Sequence, residues 1–263
     1  MTSDADMAAP TCGPDGCTIN PTTSSTTAAA GMPQRGQGPI LDLQVVSDAI
    51  CPWCYVAKQH LKVALARLAD EGLYFNVHWM PFELNPEMPK GGMERREYRS
   101  RKFGSWQKSR SLDGGVTAAG RAAGLEFHHE LMQRTPNTFD SHRLVWLAGR
   151  EGVQDAVVEA VFRAYFSEGR DIGDANVLAD VAASAGMDRD RVKAFLASGE
   201  GTDEVRLEIA LGRRTGTQGV PTFVLNGHPL FSGAQPADVI AAAFREWAIL
   251  NANTVTEAPN VQP

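Results

Sequence analysis

Apolar residues alternate at Leu41, Leu43 and Val45, the period-two pattern of a strand with one buried face. The period then changes. Val56, Leu61, Leu65 and Leu68 recur at three-to-four spacing and predict a helix that Gly72 ends. Phe75, Val77 and Trp79 alternate again as a second strand. Strand, helix and strand within about 40 residues form a βαβ unit, whose strands run parallel because the helix carries the chain back across the sheet. The prolines Pro81, Pro86 and Pro89 exclude regular helix from the next stretch.

From residue 92 to residue 200 the pattern reads almost wholly as helix. Phe139–Gly149, Val153–Phe166, Asn176–Ala185 and Arg191–Ala197 show helical spacing, with Asp174 and Asp188 placed to cap the last two. A block of this size is too large for one crossover and predicts an inserted all-helical subdomain. Another helix, Glu204–Arg214, returns the chain to the apolar run Gly219–Leu225. Asn226-Gly227 is a strong hairpin signal joining that run to His228–Ser232, and Pro236 opens a last helix ending near Leu250. The expected plan is α/β: residues 39–84 and 200–250 form the sheet-bearing domain, and 85–199 form the helical insertion. Residues 1–38, rich in Thr, Ser, Ala, Gly and Pro, read as a flexible tail, and 251–263 as a frayed C-terminal one.

Composition narrows the partners. The 263 residues are 43% hydrophobic and 21% charged, ordinary for a globular chain, and the net charge is −6 with basic residues dispersed. That argues against nucleic acid or an anionic membrane as the main partner. The basic stretch Arg95-Arg96 and Arg99–Lys102 is interleaved with Glu94 and Glu97 and reads as a solvated helix face. No apolar run approaches the ~20 residues that span a bilayer. Met1–Met32 has acids near its start and no apolar core, unlike a secretory signal, so a cytoplasmic location is expected. Structural disulfides are uncommon there, which favours reactive roles for the cysteines.

The chemistry centres on Cys51-Pro52-Trp53-Cys54, set where the first strand hands over to the helix. Pro52 suits the first helical position, where its missing N–H leaves no bond unmade. Residues three apart share a helix face, close enough to close a disulfide. The helix N-terminus favours negative charge, and the thiolate is the reactive form, so Cys51 is expected to be the nucleophile. Cys54, one turn further in, would resolve a mixed disulfide. The alternatives are two small apolar residues opening a core helix, or half of a zinc site. Zinc needs two more ligands, yet no second Cys-x-x-Cys or His-x-His cluster exists, and no metal is expected.

A second pair, Cys12 and Cys17, encloses the turn-forming Gly13-Pro14-Asp15-Gly16. Three readings stand side by side: an accessory disulfide exchanging with Cys51/Cys54, a weak metal-binding loop, or incidental tail cysteines. Pro221 heads an apolar strand, where proline removes a ladder donor. An ordinary trans-proline would explain it. A cis Val220–Pro221 bond would instead expose the backbone groups of Val220 to an incoming chain.

The order of these elements, with Gly219-Val220-Pro221-Thr222 late in the chain, resembles the DsbA-like branch of the thioredoxin superfamily. Finer segments resemble its FrnE-type subfamily: Ser47–Tyr55, Pro81–Pro86, Phe162–Phe166, Gly216–Phe223 and Ser232–Gln235. The likeness covers residues 40–248 and leaves Cys12 and Cys17 outside. It implies a thioredoxin fold carrying an inserted helical domain, with Cys51 attacking, Cys54 resolving and Pro221 the cis-proline facing them. Val220, Pro52 and Trp53 are then the expected substrate-binding residues. His60, Glu83, Asn137 and His142 are polar candidates for the cleft, each read first as a surface or satisfied core residue.

The expected function is a cytosolic thiol–disulfide oxidoreductase, with isomerase activity open to it. Its partners would be protein disulfides and dithiols, or glutathione as co-substrate, and its only redox group the cysteine pair. The alternative is a glutathione-dependent isomerase or transferase of the hydroxychromene-carboxylate isomerase or kappa-class type, which the same branch includes. Those enzymes place serine at the nucleophilic position, where this chain has Cys51. A non-catalytic holdase using the groove beside Pro221 is the third reading.

Overall fold

The computed structural model describes residues 40–214 and 219–251. Cys12, Cys17 and both expected tails, apart from Asn251, lie outside the described residues. Strand β1 (Ile40–Ser47) pairs in parallel with β2 (Tyr74–Pro81) across helix α1 (Pro52–Asp70). Leu41 faces Phe75, Leu43 faces Val77 and Val45 faces Trp79, so the two alternating sets share one face of the sheet. On its other edge β1 pairs antiparallel with β5 (Thr222–Leu225), which pairs antiparallel with β6 (His228–Ser232), giving the order β2-β1-β5-β6. The β5–β6 turn places Asn226 at φ 47° and Gly227 at φ 81°, the pair of left-handed residues that a two-residue hairpin requires. The strand expected from Gly219 begins only at Thr222, because Pro221 has no N–H to give the ladder.

The last helix, α9 (Ala237–Leu250), packs beside α1. Its fully buried Phe244 meets Phe75, Phe223 and Phe231 with ring centroids 5.2, 6.5 and 6.1 Å away, closing the apolar face of three strands.

Between β2 and β5 run α2 (Arg95–Phe103), α3 (Trp106–Ala122), α4 (Phe139–Arg150), α5 (Gln154–Phe166), α6 (Ala175–Ser184), α7 (Arg189–Ala197) and α8 (Thr202–Arg214). Asp174 and Asp188 cap α6 and α7 as the sequence predicts, their carboxylates accepting from Asn176 N and Arg191 N at 2.7 Å each. The block is not wholly helical. A two-residue ribbon joins Met93–Glu94 (the third strand, β3) to Arg134–Thr135 (β4). Gly92 lets the chains approach there, since a Cβ on it would lie 2.6 Å from the Thr135 carbonyl oxygen.

This block sits on α1 through Tyr55, whose ring stacks on Phe162 and Phe166 at 5.2 and 6.0 Å. Beside it the buried Lys58 ammonium lies 2.8 Å from both oxygens of Asp155, which also accepts from Trp79 Nε1 at 3.0 Å. At the far side, the buried Arg143 of α4 donates to the carbonyls of Phe195, Ser198 and Glu200 at 3.0, 2.9 and 2.7 Å, closing the end of α7. Removing that guanidinium strips several charge-assisted hydrogen bonds from the end of α7 and the ion-pair partner from Asp140. Arg143→Met is therefore expected to lower unfolding free energy by about 3 kcal/mol, read from urea denaturation.

Candidate active site

The β1–α1 turn is built around Asp48, which is fully buried. Its main-chain oxygen accepts from Cys51 N at 2.9 Å, while its carboxylate accepts from Leu84 N at 2.7 Å and Ile50 N at 3.4 Å. One acid thus holds both the cysteine turn and the segment leaving β2. Cys51 takes the N-cap position in extended conformation (φ −89°, ψ 109°), and Pro52 takes the first helical position. Cys54 follows one turn in, with its N–H donating to the Cys51 carbonyl at 3.0 Å. Both residues are free thiols.

Across from them the Val220–Pro221 peptide is cis. The Cys51 Sγ–H points to the Val220 carbonyl oxygen at 3.6 Å. Cys51, Pro52, Trp53 and Val220 line one cavity of about 460 Å³, with Trp53 42% exposed at its rim. Cys54 lies beneath at 0% exposure, against 5% for Cys51, and Pro221 is buried. Burial pushes the Cys54 thiol well above the ordinary range, and hydrogen bonding and charge at Cys51 push it further. The Ser47 side chain and the Asp48 backbone partly offset this.

The other polar candidates separate. His60 Nδ1 lies 2.8 Å from the Gln235 carbonyl, and Asn137 donates to the Met88 carbonyl at 2.8 Å while accepting from Phe139 N. These bonds fix loops. The buried His142 and the half-buried Glu83 belong to an acid–base cluster behind the turn. His142 Nε2 is 3.5 Å from Asp48 Oδ1, and burial raises the carboxyls of Glu83 and Glu208.

The second wall of the cavity comes from residues that sequence reasoning set aside. Arg95, Tyr98, Arg99 and Lys102 of α2 all line it, so one side of the supposed solvated face is a cavity wall, while Arg96, Glu97 and Arg101 are exposed. Their spacing of three, four and seven puts them on one side of the helix, with Arg96, Glu97 and Arg101 directed elsewhere. That cationic and aromatic stripe was the available signal. Asp113 of α3 receives Arg95 at 2.9 Å and Arg99 at 2.5 Å. His129 and Tyr165 complete the wall, His129 stacked on Phe127 at 5.5 Å. Phe127 can take that place because Gly120 has no Cβ, which would fall 2.3 Å from its ring.

A cysteine pair opening a helix after a central strand, beside a proline-bearing strand, is the arrangement of a thioredoxin-type fold. A family model for the DSBA-like thioredoxin domain matches residues 42–245, and the chain belongs to that family, which holds oxidoreductases and isomerases. A probable DsbA oxidoreductase of Streptomyces coelicolor is 31% identical with a TM-score of 0.71, over 85% of this chain and 93% of that one. The uncharacterized protein YwbO of Bacillus subtilis is 26% identical over 205 residues, 78% of this chain and 96% of its own length. A 2-hydroxychromene-2-carboxylate isomerase, 21% identical over 81% of this chain and 98% of its own, shares the fold with a TM-score of 0.62. Among the described residues no helix is long and apolar enough to cross a membrane, and no group of three or more metal-ligating side chains gathers.

The burial contrast predicts an order of modification. Iodoacetamide at neutral pH is expected to label Cys51 and spare Cys54, as peptide mass spectrometry would show. Cys54 labelling in the folded protein should require a pH well above the ordinary thiol range of about 8.5, because its raised pKa keeps the proton on at lower pH.

Proposed function

We propose that this protein is a thiol–disulfide oxidoreductase working through Cys51 and Cys54. The observation that carries the reading is the asymmetry of the pair: Cys51 caps the helix and lines a cavity, while Cys54 is sealed one turn below. The Cys51 thiolate attacks a substrate disulfide, forms a mixed disulfide with one half of it and expels the other half as a thiolate. Cys54 then attacks the Cys51 sulfur, closes the internal disulfide and releases the second half as a thiol. The two electrons that reduce the substrate come from the pair itself, and no further cofactor is needed. In the reverse direction the oxidised pair accepts two electrons from a substrate dithiol. The burial that keeps Cys54 protonated holds it in reserve until the mixed disulfide has formed.

Protein disulfides and dithiols or glutathione are the proposed partners, with Val220, Pro52 and Trp53 at the point of entry and Pro221 beneath. A cytoplasmic location is part of the same proposal. Insulin reduction tests the roles. Cys51→Ser is expected to abolish turnover, and Cys54→Ser to accumulate mixed disulfides visible on non-reducing gels. Full activity in the Cys51 variant would sink the reading.

A further inference from the structure

Cys54 has to lose a proton to close the internal disulfide, and the substrate cavity offers it no way out. It is 0% exposed and is not among the residues that line that cavity. Two groups hydrogen-bond to it in favour of the thiolate, the Ser47 hydroxyl and the Asp48 backbone. The Asp48 carboxylate itself is engaged elsewhere, accepting from Leu84 N and Ile50 N. Ser47, itself buried, also lines a second cavity that shares no wall residue with the first. Its volume is about 20 Å³, room for one water, and its ionisable wall residues are His142 and Glu208. His142 is buried, and its Nε2, 3.5 Å from Asp48 Oδ1, has no hydrogen-bond partner among the described residues. The charged groups around it come from three segments: Asp48 in the β1–α1 turn, Glu83 after β2 and Glu208 of α8. Arg206 and Arg213 of α8 act on Glu83 in turn. Burial raises both glutamate carboxyls, so each holds a proton more readily than an exposed acid. Glu208 is only half-buried, so this line of groups ends at solvent.

We propose that the Cys54 proton leaves through Ser47, a water in this second cavity and His142, and reaches solvent at Glu208. The proposal rests on the oxidoreductase reading and supplies the proton step of its second half. With the mixed disulfide in place, the Cys54 S–H gives its proton to the Ser47 oxygen as the Ser47 O–H passes its own to the water. The water hands a proton to the His142 ring, and Glu208 carries it out. The Cys54 thiolate then bonds to Cys51 Sγ. The Cys51–substrate bond breaks with its electron pair on the departing sulfur, which takes a proton in the entry cavity. The cysteine pair loses two electrons and the substrate disulfide gains them. When the oxidised pair instead takes electrons from a dithiol, the proton returns along the same route. Ser47 touches the reacting thiol, whereas His142 and Glu208 act through it as positioning residues for the proton. Substrate and proton thus use different cavities, and the exit stays open while substrate fills the entrance.

The test uses the reduced full-length chain and excess hydroxyethyl disulfide, with acid quench and peptide mass spectrometry at successive times. The mercaptoethanol adduct at Cys51 and the Cys51–Cys54 disulfide are quantified separately, which leaves Cys12 and Cys17 out of the readout. Ser47→Ala, His142→Gln and Glu208→Gln are each expected to slow closure about tenfold near neutral pH. The loss should fall on closure rather than on adduct formation, and Ser47→Thr, which keeps the hydroxyl, should restore closure. The deficit should shrink as pH rises, because hydroxide then takes the Cys54 proton directly. Glu208→Gln changes the half-buried end of the route, so it reports even where the His142 variant fails to fold. Closure unmoved by Ser47→Ala, or unmoved by Glu208→Gln, overturns the proposal. So does a deficit of the same size at every pH, which a purely structural role would give. A wild-type chain that forms neither adduct nor disulfide overturns the oxidoreductase reading itself.

Discussion

A buried carboxylate at the end of the first strand sets the geometry on which the site depends. Asp48 has no solvent contact, so every lone pair it keeps from water must be answered by the protein. It is answered by Ile50 N and Leu84 N, while its main-chain oxygen takes Cys51 N and His142 lies at 3.5 Å. These partners come from the cysteine turn, the segment after β2 and helix α4. Satisfying one acid therefore fixes the helix N-terminus against the sheet and against the segment that leaves β2. The N-cap position of Cys51 and the burial of Cys54 follow from where that turn ends.

A second constraint decides what Cys51 meets. The helical block is seated on α1 by Tyr55 against Phe162 and Phe166, and by Lys58 bonded to Asp155. Stacked rings and a buried ammonium hydrogen-bonded to both oxygens of one carboxylate tolerate little sliding, so the block has a defined position over the helix N-terminus. That position brings α2 to the cavity with its cationic stripe inward, and Asp113 shared between two arginines keeps the stripe in place. The same chain that supplies the thiol on a rigid strand–helix junction thus supplies its surroundings from a remote stretch of sequence.

How much of this was legible follows from where the signals lie. The thiol pair stood out because hydrophobic period changes from two to three-and-a-half on either side of it, which only a strand–turn–helix junction produces. The caps at Asp174 and Asp188, the Asn226-Gly227 hairpin and the parallel β1–β2 pair are local patterns with local causes, and each appears as read. One side of helix α2 was misjudged because the residues that line the cavity are Arg95, Tyr98, Arg99 and Lys102; apolar periodicity has nothing to report when that side is charged. The β3–β4 ribbon joins residues some forty positions apart through two residues each, too short for alternation to register. Ser47 and His142 became informative only when the fold placed them on the wall of one cavity.

The central claim is that Cys51 and Cys54 form a reversible redox couple. Equilibrating the protein in glutathione buffers of graded oxidised-to-reduced ratio, then quantifying the Cys51–Cys54 disulfide by mass spectrometry, measures that couple directly. The account predicts a single two-electron transition, with about 30 mV for each tenfold change in its equilibrium constant, and a potential that states in which direction the cell drives it. No such transition, with glutathione bound but not exchanged, would contradict it and favour a glutathione-dependent isomerase or transferase.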